Sequence, residues 1–527
     1  MTMNPLPLLE DRRLELQTAL DARKSKGERN RLGQFATPPM LATRIMEWTK
    51  PLLPANEAIR FLEPALGMGA FYSALLQVFP FERISYACGY EIDPHYGEQA
   101  QFLWQDYPID IQVRDFTRIS APASEEERYN LIVCNPPYVR HHHINAVDKL
   151  RLQAQSAQAT HLKLSGLSGL YVYFLCIAHE WLQTDGLGVW LIPSEFMDVN
   201  YGSAIRHYLT SQVTLLNIHR FEPEDMQFDD ALVSSAVIWF RKSVPRSDHQ
   251  ICFSLGGTFE KPRFQQSVNV AELRREGKWT RFPKQQTRMR THNAVQLKDL
   301  FDIKRGIATG ANQFFIVSKS EIDTYNLPAR FLIPILPSPR YLSSDEIQSD
   351  EMGNPLLAAP SFLINCPLPE DQVAEQYPDL WRYLQIGRAQ GIHERYLCQH
   401  RPVWYAQDKR APSPFLCTYM GRPSDKRANN PFRFILNHSR AVAPNVYLNL
   451  YPKRELAQHI SKTKDLKRRI WLALKSIPPE TLTGEGRVYG GGLYKLEPKE
   501  LGALFITDIF GDDILTDLIV PNQIRLF

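Results

Sequence analysis

Residues 135–138 read Asn-Pro-Pro-Tyr and directly follow an apolar run, Leu131-Ile132-Val133-Cys134. An amide oxygen (Asn135) and a backbone carbonyl (Pro136) held side by side make two acceptors aimed at one spot. A planar NH2 group offers two donors. Fixing both N–H bonds favours the geometry in which the nitrogen lone pair points outward, so the amine becomes nucleophilic. Proline has a fixed φ and no N–H, so the turn presents rigid acceptors without a competing donor. Tyr138 adds a ring on which a planar substrate can stack.

Three further stretches carry polar residues at the ends of predicted strands. "LEPALGMGAFYSALL" (62–76) places Glu63 at a strand tip, with Gly67 and Gly69 in the turn to a helix. Glycines there admit a ligand close to the backbone, and a helix N-terminus favours an anionic group. A dinucleotide fingerprint wants a third glycine at position 72, where Tyr72 stands, which counts against a nicotinamide enzyme. "GYEID" (89–93) puts Glu91 22 residues beyond Gly69, a spacing that suits an acidic ligand for the two hydroxyls of a ribose. "RDF" (114–116) offers Asp115 as an acceptor for an adenine amino group with Phe116 against the ring, or, equally, Asp115 as a helix N-cap.

The elements that must position these residues alternate from 58 to 242. β-like runs at 58–64, 84–93, 109–116, 129–137, 186–194, 213–221 and 232–242 are separated by amphipathic stretches such as 69–79 and 170–182. Such alternation predicts an α/β fold with a mostly parallel sheet and helices on both faces. Ligands then bind at the carboxyl ends of the strands, where Asn135 to Tyr138 fall. The regularity fades after about residue 245. "SVPRSDH" (243–249) reads as a linker, and the remainder mixes short elements rich in proline, aromatic and basic residues.

With these motifs in place, the chain resembles the Taq-type adenine-N6 DNA methyltransferases of type II restriction–modification systems. The resemblance covers residues ~31–242 well and the C-terminal part more loosely. It implies a Rossmann-like, class I fold with a mostly parallel seven-stranded sheet and S-adenosyl-L-methionine as cofactor. "GQFATPP" (33–39) matches the motif that precedes the first strand, with Thr37 near the cofactor's methionine carboxylate. Glu63 would lie near its amino group, beside Gly67 and Gly69. Glu91 matches the ribose ligand, Ile92 its apolar neighbour, and Asp115 with Phe116 the residues around the adenine. "NPPY" matches the catalytic motif. "FDDALVSSAVIWF" (228–240) resembles a later motif and nominates Phe228 to flank the target base opposite Tyr138, with Phe221 as the competing choice. The order, with "GQFATP" first and a large extra domain last, is the gamma order of this subgroup. Met68, between the two glycines, departs from the small polar residue many relatives carry, without disabling binding.

The expected domains are an N-terminal helical extension (1–32), a catalytic domain (33–243) and a C-terminal mixed α/β target-recognition domain (244–527). Residues 1–243 hold 22 Lys and Arg against 28 Asp and Glu, net −6; residues 244–527 hold 39 against 29, net +10. A basic half suits a polyanion, and a solvated basic face is the competing reading. "LKDLFDIKRGIATGANQFFIVS" (297–318) opens like such recognition domains. The implied partners are double-stranded DNA and, functionally, a separately encoded restriction endonuclease. The alternatives are a cytosine-N4 methyltransferase, a protein-glutamine methyltransferase or an inert DNA-specificity subunit.

With 44% hydrophobic and 22% charged residues the composition is that of an ordinary globular protein. No apolar stretch nears the ~18–20 residues that span a bilayer. The N-terminus lacks a signal-peptide core, so a cytoplasmic protein with no membrane association is expected. The seven cysteines are scattered without a Cys-x-x-Cys pair, predicting reduced thiols and no zinc site. No metal is expected: His141-His142-His143 cannot converge on one ion from consecutive positions of a regular element, and reads as a basic loop beyond the site. Trp104, Trp181 and Trp190 are expected in the core.

Overall fold

The computed structural model describes residues 6–222, 234–283, 295–423, 430–463, 465–489 and 492–505. The chain divides into two compact units, residues 1–288 with 489–491, and residues 289–488 with 492–527.

The first unit is built on a nine-stranded sheet. Its strands are β1 (Ile59–Glu63), β2 (Ile84–Glu91), β3 (Asp110–Val113), β4 (Tyr129–Cys134), β5 (Leu182–Pro193), β6 (Thr214–Arg220), β7 (Ser235–Arg241), β8 (Gln250–Gly257) and β9 (Pro262–Asn269). They lie in the order β3-β2-β1-β4-β5-β7-β6-β8-β9. The five strands from β3 to β5 are all parallel, and β7 runs antiparallel to both its neighbours. The strand order reverses between β1 and β4, which makes their shared carboxyl edge the crevice where a ligand is expected.

The apolar run that became β4 is explained by its two-sided burial. Leu131 and Val133 enter one core, while Ile132 and Cys134 enter the other. β5 repeats the alternation with Leu187, Val189 and Leu191 against Trp190 and Ile192. A strand covered on both faces has no reason to alternate apolar with polar residues. One face is covered by helices α1 (Leu6–Ala22), α3 (Pro39–Thr49), α4 (Ala70–Val78) and α5 (Pro94–Leu103), with the short α2 (Lys26–Leu32) following α1. The other is covered by α6 (Ala146–Thr160), α7 (Leu170–Ile177) and α8 (Ser203–Ser211). Trp104, Trp181 and Trp190 are buried, and all seven cysteines are unpaired thiols.

Two expectations are corrected here. The sheet has nine strands rather than seven, because β8 pairs with β6 and carries β9 at the edge. The boundary expected at 243/244 therefore falls inside the first unit, and "SVPRSDH" connects two strands of one sheet. With the division at 288/289 the charge contrast shrinks: residues 1–288 hold 31 basic against 32 acidic residues, net −1, and residues 289–527 hold 30 against 25, net +5.

The second unit is mixed α/β. A five-stranded sheet runs in the order Phe301–Arg305, Tyr447–Pro452, Phe415–Thr418, Phe434–Asn437, Glu346–Ile347, and two three-stranded sheets accompany it. Among the described residues no helix is long and apolar enough to cross a membrane.

Candidate active site

The chain just beyond the carboxyl ends of β2 and β4 is tied together by one loop, residues 33–37. It begins where α2 stops. Ser25 and Glu28 form a capping box at the start of α2, and Gly33 ends it in the left-handed region at φ 67°. The Gly33 carbonyl accepts the backbone N–H of Tyr138 at 3.2 Å. Gln34 donates to Asp93, just past β2, at 2.7 Å, and Lys24 pairs with the same carboxylate. The Phe35 carbonyl and the Thr37 hydroxyl oxygen both accept from the Asn135 side-chain amide, at 3.0 and 3.1 Å.

These bonds settle which way the Asn135 amide faces. A carbonyl accepts only, so the NH2 end must face Phe35 and Thr37. The Asn135 Oδ1 is buried and has no hydrogen-bond partner among the described residues. An unpaired buried acceptor costs on the order of 1–3 kcal/mol. Its position one residue beyond the carboxyl end of β4 gives it a chemical meaning: a fixed acceptor that an incoming N–H can complete.

Glu63 ends β1 and is 2% exposed. It accepts the backbone N–H groups of Tyr72 and Phe71 at the start of α4. Burial holds its carboxyl well above the ordinary value of 4.5, against the pull of those N–H groups and of Arg13, itself buried on α1. Gly67 (φ 56°) donates its N–H to Glu91 Oε2 at 2.9 Å, and Asp93 donates to Oε1 at 2.8 Å. Each carboxylate oxygen keeps a further lone pair. Burial also raises the Glu91 carboxyl, partly offset by these two N–H groups. Gly69 (φ 80°) starts α4, and a Cβ there would lie 2.8 Å from the Trp104 indole nitrogen, which donates to the Met68 carbonyl. Met68 itself is buried in the core, away from any ligand role.

Other predicted residues are placed differently. Asp115 caps the turn that follows β3, accepting from the Thr117 backbone and hydroxyl, and pairs with Arg118. Of the two readings offered by the sequence, the cap is the one the structure displays. The Phe116 ring is 2% exposed and packs among Tyr90, Phe174 and Trp181. Ile92, by contrast, is 65% exposed next to Glu91. Tyr138 is more enclosed than a stacking platform suggests, 8% exposed, with its ring 5.7 Å from that of Phe35 and its hydroxyl donating to the Leu191 carbonyl. Phe221 packs against His219 and Phe259. Phe228 lies outside the described residues. His141–His143 form a short 3-10 turn beyond the site.

Glu63 supplies a prediction with a definite sign. Its raised pKa means the folded chain binds the proton more tightly than the unfolded chain. The stability from this group is fully present below the ordinary carboxyl range and is lost as pH rises through the raised value. Glu63→Gln imitates the neutral form. The variant is expected to melt a few degrees higher than the wild type at pH 8, and alike at pH 4. A lower melting temperature at pH 8 would contradict the assignment.

Two family models match the chain. Residues 85–228, which include Glu91, Asp115 and the Asn135–Tyr138 turn, match the Eco57I restriction-modification methylase model. Residues 278–518 match the C-terminal domain of type II methyltransferase M.Eco57I. In both stretches the chain is similar to restriction–modification methyltransferases. The C-terminal match begins close to the boundary between the two units. Two relatives align along most of their length. Type II methyltransferase M.AccI of Acinetobacter calcoaceticus is 26% identical over 495 residues, 91% of this chain and 86% of that protein. M.XamI of Xanthomonas campestris pv. amaranthicola is 27% identical over 499 residues, with the same shares. Among solved structures, a DrdV–DNA complex shares the fold with a TM-score of 0.56 at 13% identity, covering 97% of this chain and 59% of that one. The type IIL restriction-modification enzyme MmeI in complex with DNA gives 0.51 at 11% identity, covering 88% of this chain and 63% of that one. This chain thus spans about three-fifths of either solved chain.

Proposed function

We infer that this methyltransferase transfers a methyl group from S-adenosyl-L-methionine to the N6 amine of an adenine extruded from duplex DNA, as the modification partner of a separately encoded endonuclease. The observation that carries the reading is the buried Asn135 Oδ1 one residue beyond the carboxyl end of β4, without a hydrogen-bond partner among the described residues. The names of the relatives, and the DNA in the DrdV and MmeI complexes, support a DNA substrate.

The donor set fits the cofactor. Glu91 offers carboxylate oxygens to a ribose diol, with exposed Ile92 beside it. Glu63 offers a buried carboxylate whose ionised form an ammonium group would favour. Gly67 and Gly69 keep the intervening turn open, and the Thr37 hydroxyl retains its own proton to donate. When bound, S-adenosylmethionine supplies an electrophilic sulfonium methyl.

The remaining work belongs to the protein. Asn135 Oδ1 and the Pro136 carbonyl take the two amine hydrogens, which turns the nitrogen lone pair outward. With so reactive a donor, placement dominates over acid–base chemistry. No general base is assigned, because the amine sheds its proton after transfer. The target amine is inaccessible within a duplex, so the nucleotide must leave the stack. Unpairing costs a few kcal/mol, and stacking on an aromatic ring returns about 1–3 kcal/mol per base. Tyr138 and Phe228 are proposed as the two faces of that pocket, Phe228 on resemblance alone. Sequence reading is assigned to the second unit, where Arg305 and Arg340 line a cleft with Tyr419 and Met420.

Purified protein incubated with methyl-labelled S-adenosylmethionine should label duplex DNA and neither RNA nor protein. Label in protein would favour the protein-glutamine class, and no label in any substrate would favour an inert specificity subunit.

A further inference from the structure

We propose that Arg305 is a specificity-determining residue, which reads one guanine of the target site through O6 and N7 on its major-groove edge. This rests on the assignment of sequence reading to the second unit.

The cleft that holds Arg305 is lined by residues of that unit alone and has a volume of about 320 Å³. Arg305 ends the edge strand Phe301–Arg305 and is exposed. Its Nε donates to the Asn445 carbonyl at 3.1 Å, and its guanidinium carbon lies over the Tyr419 ring, 4.1 Å from the centroid. Tyr419 is itself fixed: it is 3% exposed, and its hydroxyl donates to Glu497 at 2.7 Å. The guanidinium is thus held at one edge and against one face. Its Nη1 and Nη2 make no hydrogen bond or ion pair among the described residues. Arg433, which lines the same cleft, is used differently. It donates to Asp345 and to the Pro339 and Leu342 carbonyls, which ties down the turn that carries Arg340.

Two N–H donors in a preset plane match two acceptors side by side in one plane. In the major groove guanine alone presents that pair. Adenine sets an amino donor beside N7, cytosine offers a donor, and thymine offers one acceptor next to a methyl group. A phosphate also takes a guanidinium, but its oxygens point in several directions and need no preset plane. The double constraint on Arg305 therefore favours a base over a phosphate. Met420, 41% exposed at the same cleft, offers an apolar contact that suits a base and not a phosphate.

The test uses the full-length wild type, Arg305→Lys and Arg305→Ala. The target sequence is read first from DNA methylated by the wild type. Duplexes carrying it are then made with 7-deazaguanine at each guanine in turn, which removes N7 alone, and with each G·C pair changed to A·T. At one guanine the wild type should lose kcat/KM by several-fold with 7-deazaguanine and by roughly 10- to 100-fold with A·T, the discrimination of a bidentate arginine–guanine pair. In Arg305→Ala both penalties should shrink to within about 3-fold at that position, with the other positions unchanged. Arg305→Lys keeps the charge and loses the fork, so it should keep affinity for DNA of unrelated sequence while losing most of the discrimination at that guanine. A target without guanine, or a wild type indifferent to 7-deazaguanine everywhere, would overturn the proposal. So would an Arg305→Ala protein that keeps every penalty while binding all sequences more weakly and with a salt dependence lower by about one phosphate contact, the signature of a backbone contact. Should Arg305→Ala fail to fold, the wild-type duplex series and Arg305→Lys still decide. A wild type that methylates no duplex, or methylates at no recurring sequence, would instead sink the reading on which Arg305 rests.

Discussion

Asn135→Ala is expected to lower kcat for methyl transfer by at least about 10²–10³-fold, the scale seen when one preorganised polar contact to a reacting group is removed, while S-adenosylmethionine still binds. The expectation has three parts. First, Oδ1 is the acceptor that fixes one amine hydrogen, and alanine leaves the Pro136 carbonyl to act alone. Second, the amide is held before substrate arrives, so its contribution requires no reorganisation during the reaction. Third, the residues assigned to the cofactor, Glu63, Gly67 and Glu91, belong to β1, β2 and the turn after β1, and their hydrogen bonds run to Tyr72, to Asp93 and between Gly67 and Glu91. Stopped turnover with cofactor affinity kept is therefore the signature, read by steady-state kinetics and calorimetry side by side. Near-normal kcat would remove Asn135 from the chemistry.

Gly33→Ala should be as damaging, for a purely steric reason. A Cβ at position 33 would lie 2.4 Å from the Tyr138 backbone nitrogen and 2.9 Å from the Pro137 carbonyl carbon. Both are backbone atoms, and the prolines of the turn leave little freedom to yield. The residue also sits at φ 67°, where alanine is strained. Overpacking of this kind costs about 1–3 kcal/mol, and the positive φ adds about 1 kcal/mol or more. The melting temperature should fall by several degrees. The relief available is to separate loop 33–37 from the Asn135 turn, which breaks the two hydrogen bonds that hold the Asn135 amide. Displacement by about 1 Å can cost 10²-fold in rate. Loss of activity in a folded, cofactor-binding Gly33→Ala protein would show that the loop positions the chemistry. Full activity would show that the turn holds its geometry unaided.

The central strands and the polar residues at their tips were legible because burial on both faces writes a continuous apolar run, and because that run must end where the site begins. Glu63, Glu91 and Asn135 all lie within one residue of the ends of β1, β2 and β4. The partners of Asn135 were not legible. The amide is held by a residue 100 positions upstream through a backbone carbonyl, which any residue could supply and which leaves no mark on the sequence. Only Gly33 carried a readable trace, since a glycine closing α2 has a conformational reason to be there. Phe116 is ambiguous for the opposite reason. A phenylalanine after an acidic strand end suits a ligand face and a core equally, and the core surrounding Tyr90, Phe174 and Trp181 claims it. β8 and β9 were missed because "SVPRSDH" looks like a linker and because β9 lies at the sheet edge, largely exposed and polar. The same misreading inflated the charge contrast between the two halves.

The central claim is that the Asn135 turn methylates an adenine amine at defined sites in duplex DNA. Single-molecule sequencing of genomic DNA from cells expressing the wild-type chain, alongside cells expressing Asn135→Ala, tests it most directly. The account predicts N6-methyladenine at one recurring motif with the wild type and none with the variant. N4-methylcytosine at the motif, or no modified base with the wild type, would contradict it.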